Sequence, residues 1–217
     1  SDNFGLTDDA VITVDLIPAI LGQFNLSDLN GSNGFILNGI DSGDNSGRSV
    51  SSAGDVNGDG FDDLIIGAIG ADPNDIDRAG ESYVVFGASG GFAASLNLSD
   101  LNGSNGFILN GIDSRDRSGR SVSSAGDVNG DGFDDLIIGA YLGDPNGNTY
   151  AGESYVVFGA SGGFAASLNL SDLNGSNGFI INGIDRYDNS GFSVSSAGDV
   201  NGDGFDDLLI GAYRADP

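Results

Sequence analysis

The chain has 217 residues, 39 % of them hydrophobic, with 38 glycines and only 4 prolines, which permits a packed core and argues against global disorder. Its 32 acidic residues face 7 basic ones, a formal net charge of −25, and such a surface repels nucleic acid and anionic lipid, whose binding requires neutralising phosphate. Cys, His and Met are absent, which removes disulfides, the commonest general base and the soft-metal ligands, and no apolar run approaches the roughly 20 residues of a membrane span.

Taken from the start, Ser1 is not a translation start, so the chain is expected to be a processed product or a piece of something longer. Residues 1–24 read as a diverged partial repeat that contributes one strand, Val11-Ile12-Thr13-Val14, standing 72 residues before Tyr83-Val84-Val85-Phe86. A 72-residue period then governs everything: 25–96 is repeat one, 97–168 repeat two and 169–217 a truncated repeat three. Residues 55–64 recur unchanged at 127–136, and 81–108 at 153–180. Within repeat one the strand candidates are 49–53, the continuous apolar run 64–68, the β-branched and aromatic run 82–86, and 106–111 at the join to repeat two. Asn-Gly, Asp-Gly and Ser-Gly pairs between them are turn signals, and no segment has the period of an amphipathic helix. Four short strands per repeat predict an all-β protein of propeller-type blades, each of four antiparallel strands. A β-solenoid is the alternative, although solenoid coils are usually much shorter than this period.

Between the first two strands of each repeat lies Asp-Val-Asn-Gly-Asp-Gly-Phe-Asp-Asp. Oxygen side chains fall at its first, third, fifth and ninth positions, and the seventh carbonyl can join them. The candidate ligands are Asp55, Asn57, Asp59, Phe61 (carbonyl) and Asp63; then Asp127, Asn129, Asp131, Phe133 and Asp135; then Asp199, Asn201, Asp203, Phe205 and Asp207. A glycine at position six supplies a sharp turn. Calcium takes six to eight oxygens in adaptable geometry, whereas magnesium keeps its waters and zinc or copper prefers nitrogen or sulfur. Ca2+ is therefore the expected cofactor, one ion per loop. An EF-hand is excluded because position twelve is Ile66, Ile138 or Ile210. Asp and Asn favour turns in any case, but three unpaired carboxylates converging on one loop, three times over, argue for a cation. Asp62 at position eight is expected to point away from the site.

The run at 190–212, Ser-Gly-Phe-Ser-Val-Ser-Ser-Ala-Gly-Asp-Val-Asn-Gly-Asp-Gly-Phe-Asp-Asp-Leu-Leu-Ile-Gly-Ala, resembles an FG-GAP repeat. That family forms the blades of the integrin α-subunit propeller and occurs in many secreted bacterial proteins. The resemblance implies a four-stranded blade with calcium in the hairpin between its first two strands. This sequence departs from the family pattern where Gly47-Arg48, Gly119-Arg120 and Gly191-Phe192 stand in place of Phe-Gly. The family usually builds seven blades and this chain carries about three.

The sequence thus points to an extracellular, calcium-binding repeat scaffold serving surface structure or cell adhesion, as a fibre or layer subunit assembled head-to-tail. Three blades are too few to close a ring, so completion by self-association or by flanking repeats of a longer chain is expected. The alternative is an accessory domain of a larger secreted enzyme or adhesin that recognises protein or glycan. Its best candidate loops are 69–80 and 141–152, where repeats one and two differ. The chain is not read as an enzyme, because its dense acidic groups are triplicated and an active site is usually unique. Nucleic acid and membrane insertion are excluded as above. Asn-Leu-Ser at Asn25, Asn97 and Asn169 and Asn-Gly-Ser at Asn30, Asn102 and Asn174 are read as turns rather than glycosylation sites. Asp41, Asp44 and their equivalents are read as solvated loop, and the arginines as facing solvent or pairing with acids.

Overall fold

The computed structural model describes residues 10–14, for the backbone, and 24–216. Most of the expected N-terminal partial repeat (1–9 and 15–23) and Pro217 lie outside the described residues. Fourteen strands are described: β1 (Ala10–Val14), β2 (Gly34–Asn38), β3 (Ser46–Gly54), β4 (Asp63–Ala68), β5 (Glu81–Val85), β6 (Ser95–Asn97) and β7 (Gly106–Asn110) come first. After them run β8 (Ser121–Gly126), β9 (Asp135–Ala140), β10 (Glu153–Val157), β11 (Ser167–Asn169), β12 (Gly178–Asn182), β13 (Ser193–Gly198) and β14 (Asp207–Gly211). Among the described residues there is no α-helix, only single 3-10 turns such as Leu26–Asp28 and Leu98–Asp100.

The strands form blades of a partial β-propeller, and among the described residues no sheet is closed. β3, β4, β5 and β7 make one antiparallel four-stranded blade, and β8, β9, β10 and β12 the next. β1 with β2 supplies the outer half of a preceding blade, and β13 with β14 the inner half of a following one. Each complete blade therefore takes three strands from one 72-residue unit and its fourth from the next. β3 packs beside β8, and β8 beside β13, so the first strands of successive blades are neighbours.

Alternate side chains of a strand point to opposite faces, and here each face meets a different blade. On β4, Ile66 packs with Phe35, Leu37, Tyr83 and Val85 against the preceding blade. Its neighbour Ile65 packs with Val84, Phe107, Leu136 and Tyr155 against the following one. On β9, Leu136 and Ile138 face back and Ile137 faces forward to Val194. This two-sided burial explains why these strands read as continuous apolar runs.

Two features depart from the sequence reading. A fifth short strand in each unit, β6 or β11, lies parallel to the outer strand of the preceding blade, pairing Leu96 with Leu37 and Leu168 with Leu109. Phe92 stacks on Phe35 at 4.0 Å and Phe164 on Phe107 at 4.3 Å, fastening this strap. Secondly, Ala10 pairs with Asn38 as Glu81 does with Asn110. Ile12 rather than Val11 therefore stands in the place of Tyr83, opposite Ile36 as Tyr83 is opposite Ile108, because the connection 15–33 is one residue shorter than 86–105. Pairing register, not residue count, sets the equivalence.

Blades approach closely at Gly67 and Gly139. A Cβ at Gly67 would overlap the carbonyl oxygen of Gly119, and one at Gly139 that of Gly191. Gly67→Ala is therefore expected to push two blades apart and destabilise the protein by about 1–3 kcal/mol. Urea titration measures this, and a midpoint equal to that of the native chain would refute the close approach.

Candidate metal centre

Each candidate loop is carried by an inner hairpin, β3–β4, β8–β9 or β13–β14. The register slips before the loop, between Ser52 and Gly54 and between Ser124 and Gly126. This bulge turns the chain out of the ladder, with Gly54 at φ +73, a conformation glycine adopts without steric cost.

Inside the loop the first aspartate organises the backbone. Asp55 Oδ1 accepts the amides of Gly58 (2.8 Å) and Asp59 (3.0 Å), and Oδ2 accepts that of Gly60 (2.9 Å). Gly60 holds φ +88, as the sixth-position turn requires. Asn57 Oδ1 accepts the Asp59 amide at 2.8 Å, and Asn57 Nδ2 donates to Asp59 Oδ2 at 3.1 Å. Asp59 Oδ1 accepts the Phe61 amide at 2.9 Å. The ninth residue, Asp63, is fully buried and accepts the amides of Val56 (3.0 Å) and Gly87 (2.8 Å).

The pattern repeats. Asp127 takes the amides of Gly130, Asp131 and Gly132, and Asp199 those of Gly202, Asp203 and Gly204. Asp135 is held by Val128 and Gly159. In the third loop Asp207 accepts from Val200 and, at 3.2 Å, from Asn201 Nδ2. Each expected set thus lies on one hairpin loop and the first residue of the strand that follows it. Among the described residues, however, no three acidic side chains are drawn together as a closed metal cluster.

An ionised carboxylate offers about four acceptor positions. Asp55 uses three, and Asp59 and Asp63 two each, so every candidate carboxylate keeps acceptor capacity. The donor set is entirely oxygen, and in chemistry it fits a hard cation.

Burial and the loop amides pull these carboxyls in opposite directions: backbone amides, that of Gly204 first, hold Asp199 below its ordinary range. Burial pushes the Asp63 carboxyl up to about 6, against the lowering amides of Gly87 and Val56, and the charges of Asp59 and Asp55 add to the rise. Asp135 is likewise raised to about 6 by burial, with Asp131 and Asp127 adding to it. The one ion pair among the described residues, Arg115 to Asp77 at 2.8 Å, lies at the surface away from these loops. Arg120, Arg186 and Arg214 lie over aromatic rings rather than pairing with acids, Arg120 at 4.1 Å from the Phe192 centroid.

Position eight, set aside in the sequence, has a defined place. Asp134 Oδ2 accepts the amide of Asp55 at 2.8 Å, and Asp206 Oδ2 that of Asp127 at 2.9 Å, each across a blade junction. The signal was an acidic residue at 62, 134 and 206 with no ligand role in its own loop. The second acidic group also differs from expectation. Asp44 is only 9 % exposed and Asp116 only 5 %, because connections within their blades close over them: Gly70 donates its amide to the Asp44 carbonyl and Leu142 to that of Asp116. Burial raises Asp116 to about 7, with Glu153, Asp113 and Asp144 adding to the rise. Glu81 and Glu153 are raised chiefly by burial too, while accepting the hydroxyls of Tyr83 and Tyr155.

A family model described as FG-GAP repeat matches residues 46–85, 118–157 and 190–216. The chain is 29 % identical over 201 residues to integrin alpha-PS2 of Drosophila melanogaster, covering 91 % of this chain and 13 % of that protein. It is 34 % identical over 172 residues to integrin alpha-5 of Xenopus laevis, covering 78 % and 15 %. To phosphatidylinositol-glycan-specific phospholipase D of Bos taurus it is 35 % identical over 158 residues, covering 73 % and 17 %. The matched region thus spans less than a fifth of the length of each of these relatives.

The raised carboxyls fix the sign of a pH dependence. Unfolded, these groups lose their protons near 4; folded, Asp63 and Asp135 hold theirs to about 6 and Asp116 to about 7. Across that window the folded state binds more protons, so stability present in acid is lost as the pH rises through 6–7. Cation-depleted protein is expected to melt at a higher temperature at about pH 5 than at about pH 7.5. Circular dichroism melts read this directly, and a midpoint that rises with pH would contradict the burial described.

Proposed function

This chain carries FG-GAP repeats, and on that premise we propose that it is a non-catalytic, calcium-binding extracellular scaffold module. The observation that carries the reading is the threefold recurrence of one oxygen-only donor set on one backbone-organised loop. Asp55, Asn57, Asp59, the Phe61 carbonyl and Asp63, with Asp127, Asn129, Asp131, Phe133 and Asp135, and Asp199, Asn201, Asp203, Phe205 and Asp207, would each hold one Ca2+. The ion would supply countercharge: three dications bring six positive charges to a chain of net −25.

The role follows from the same chemistry. Loops that keep spare acceptors but must gather like charges suit the weaker calcium sites of extracellular modules, filled at about 10⁻⁴–10⁻³ M free calcium. The integrin alpha relatives support a surface or secreted setting and a part in protein contacts within a larger chain. No helix among the described residues is long and apolar enough to cross a membrane. Adhesion or surface structure is the use we assign, with units 25–96, 97–168 and 169–217 as successive repeats and 1–24 as a partial one. Further repeats, or a second copy joined head-to-tail, would complete the outer half of the last blade. The likeness to a phospholipase D leaves an accessory domain of a secreted enzyme as the second reading, without catalysis by these residues.

Calcium should stabilise the fold by mass action, since an unfolded chain cannot hold the carboxylates together. At about 100 times the site Kd, each ion adds about 2.7 kcal/mol. Three ions would then raise the melting temperature by about 10 °C or more over chelator-treated protein. Elemental analysis is expected to find three calcium ions per chain, and two in Asp59→Ala, with lost hydrogen-exchange protection confined to the region around 55–68. Coincident melts with and without calcium, and no bound metal, would overturn the reading.

A further inference from the structure

Successive loops touch, and in each case the seventh and eighth positions of the later loop make the contact. Across the first junction, Asp134 Oδ2 accepts the Asp55 amide at 2.8 Å, and the Asp134 amide donates to the Asp55 carbonyl at 3.3 Å. The Phe133 ring lies where any side chain at Gly58 would stand, and the Asp134 carboxylate does the same at Gly54. Across the second junction the Asp206 carboxylate and amide make the same pair of bonds to Asp127, at 2.9 and 3.1 Å. Phe205 there covers Gly130.

Each contact joins two parts of the proposed ligand machinery. Asp55 is the first ligand of its loop, and its carboxylate gathers the amides of 58–60. Residues 133–135 hold the seventh and ninth ligands of the next loop and, between them, the residue that clamps Asp55. A cation in the second loop would immobilise 133–135 through the Phe133 carbonyl and Asp135. Asp134 would then be fixed in the place where it holds Asp55. Ordering backbone carries an entropic cost, and here one stretch of ordered backbone serves two loops. A ligand that rigidifies a shared segment makes the second binding event easier.

Resting on the calcium reading above, we propose that the loops fill with positive cooperativity, and that Asp134 and Asp206 are the positioning residues that couple them. The contact runs one way along the chain, from each loop to the one before it, but the coupling is reciprocal because it is a free energy of binding. Position eight needs only an acceptor for an N–H, so its charge is not required. Asparagine should serve there and alanine should not.

The test is a calcium titration of the whole chain followed by ¹⁵N–¹H correlation spectra, reading the sixth-position amides Gly60, Gly132 and Gly204 separately. Disabling the second loop with Asp131→Ala is expected to raise the calcium midpoint of Gly60 by about fivefold or more. In Asp134→Ala the same disabling should move Gly60 by less than about twofold, whereas in Asp134→Asn the full shift should persist. If Asp134→Ala does not fold, the native chain against Asp131→Ala, together with Asp134→Asn, still decides the matter. Equal Gly60 midpoints with and without the second loop would overturn the coupling and leave calcium binding intact. A shift that survives undiminished in Asp134→Ala would overturn the role of that residue. Glycine amides that ignore calcium altogether would overturn the calcium reading, and the coupling with it.

Discussion

Everything in this structure depends on sheets that are buried on both faces. A blade has no dry side of its own: Ile65 and Ile66 are neighbours in sequence, yet each is covered by a different blade. Burying such a side chain contributes about 1.5–3 kcal/mol, and that contribution is complete only when the neighbouring blade is present. A blade is thus a unit of sequence but not a unit of stability, as in other repeat architectures. The same constraint explains the glycines at 67 and 139, where the backbones of adjacent blades come close enough to exclude a side chain. It also explains the strap strands β6 and β11, which lace the outer edge of one blade to the next.

Stacking the blades in one sense brings their inner hairpins into sequence along the structure, and with them the acidic loops. Clustered carboxylates would ordinarily oppose this. The backbone answers part of the repulsion: Asp55 alone takes three amides, and Asp63 is buried only because Val56 and Gly87 donate to it. Amide donors solvate charge without neutralising it, and Asp63 and Asp135 stay raised chiefly by burial, with the neighbouring loop carboxylates adding to the rise. With seven arginines in the chain, and three of them laid over aromatic rings, the protein supplies little positive charge of its own. A bound divalent cation, as proposed above, would supply positive charge at the place where the imbalance arises.

The repeat period, the strand runs and the loop positions were legible because they are local. Apolar runs declare buried strands, and oxygen donors at alternate positions declare the loop. What was not legible depends on neighbours distant in sequence. Ser95–Asn97 is three residues long with no alternation to betray a strand, and it pairs with residues 59 positions earlier. Asp134 and Asp55 are 79 residues apart, and nothing in the motif indicates which blade the eighth side chain will reach. Asp44 and Asp116 look like solvated turn residues in sequence, yet connections outside their own turns bury them. The register of β1 was misjudged by one residue because counting back by the period assumes a connection of constant length.

The same distinction bears on the segments that vary between otherwise near-identical repeats. Segments 69–80 and 141–152 stood out as candidate ligand loops because they differ. Each of them, however, meets the following repeat. Asp77 forms an ion pair with Arg115, and its carbonyl accepts the Arg115 amide at 2.8 Å. At the next junction the equivalent carbonyl, of Thr149, accepts the Tyr187 amide at 2.9 Å, while Arg186 reaches the Thr149 hydroxyl and the Tyr150 and Tyr187 rings meet edge to face at 5.9 Å. The two sides of each junction therefore differ together, charge against charge in one and ring against ring in the other. The Arg115–Asp77 pair is largely exposed and of a kind that contributes little to stability. The variable loops thus change in matched pairs at the surface, while the near-identical strands carry the burial that holds each junction together.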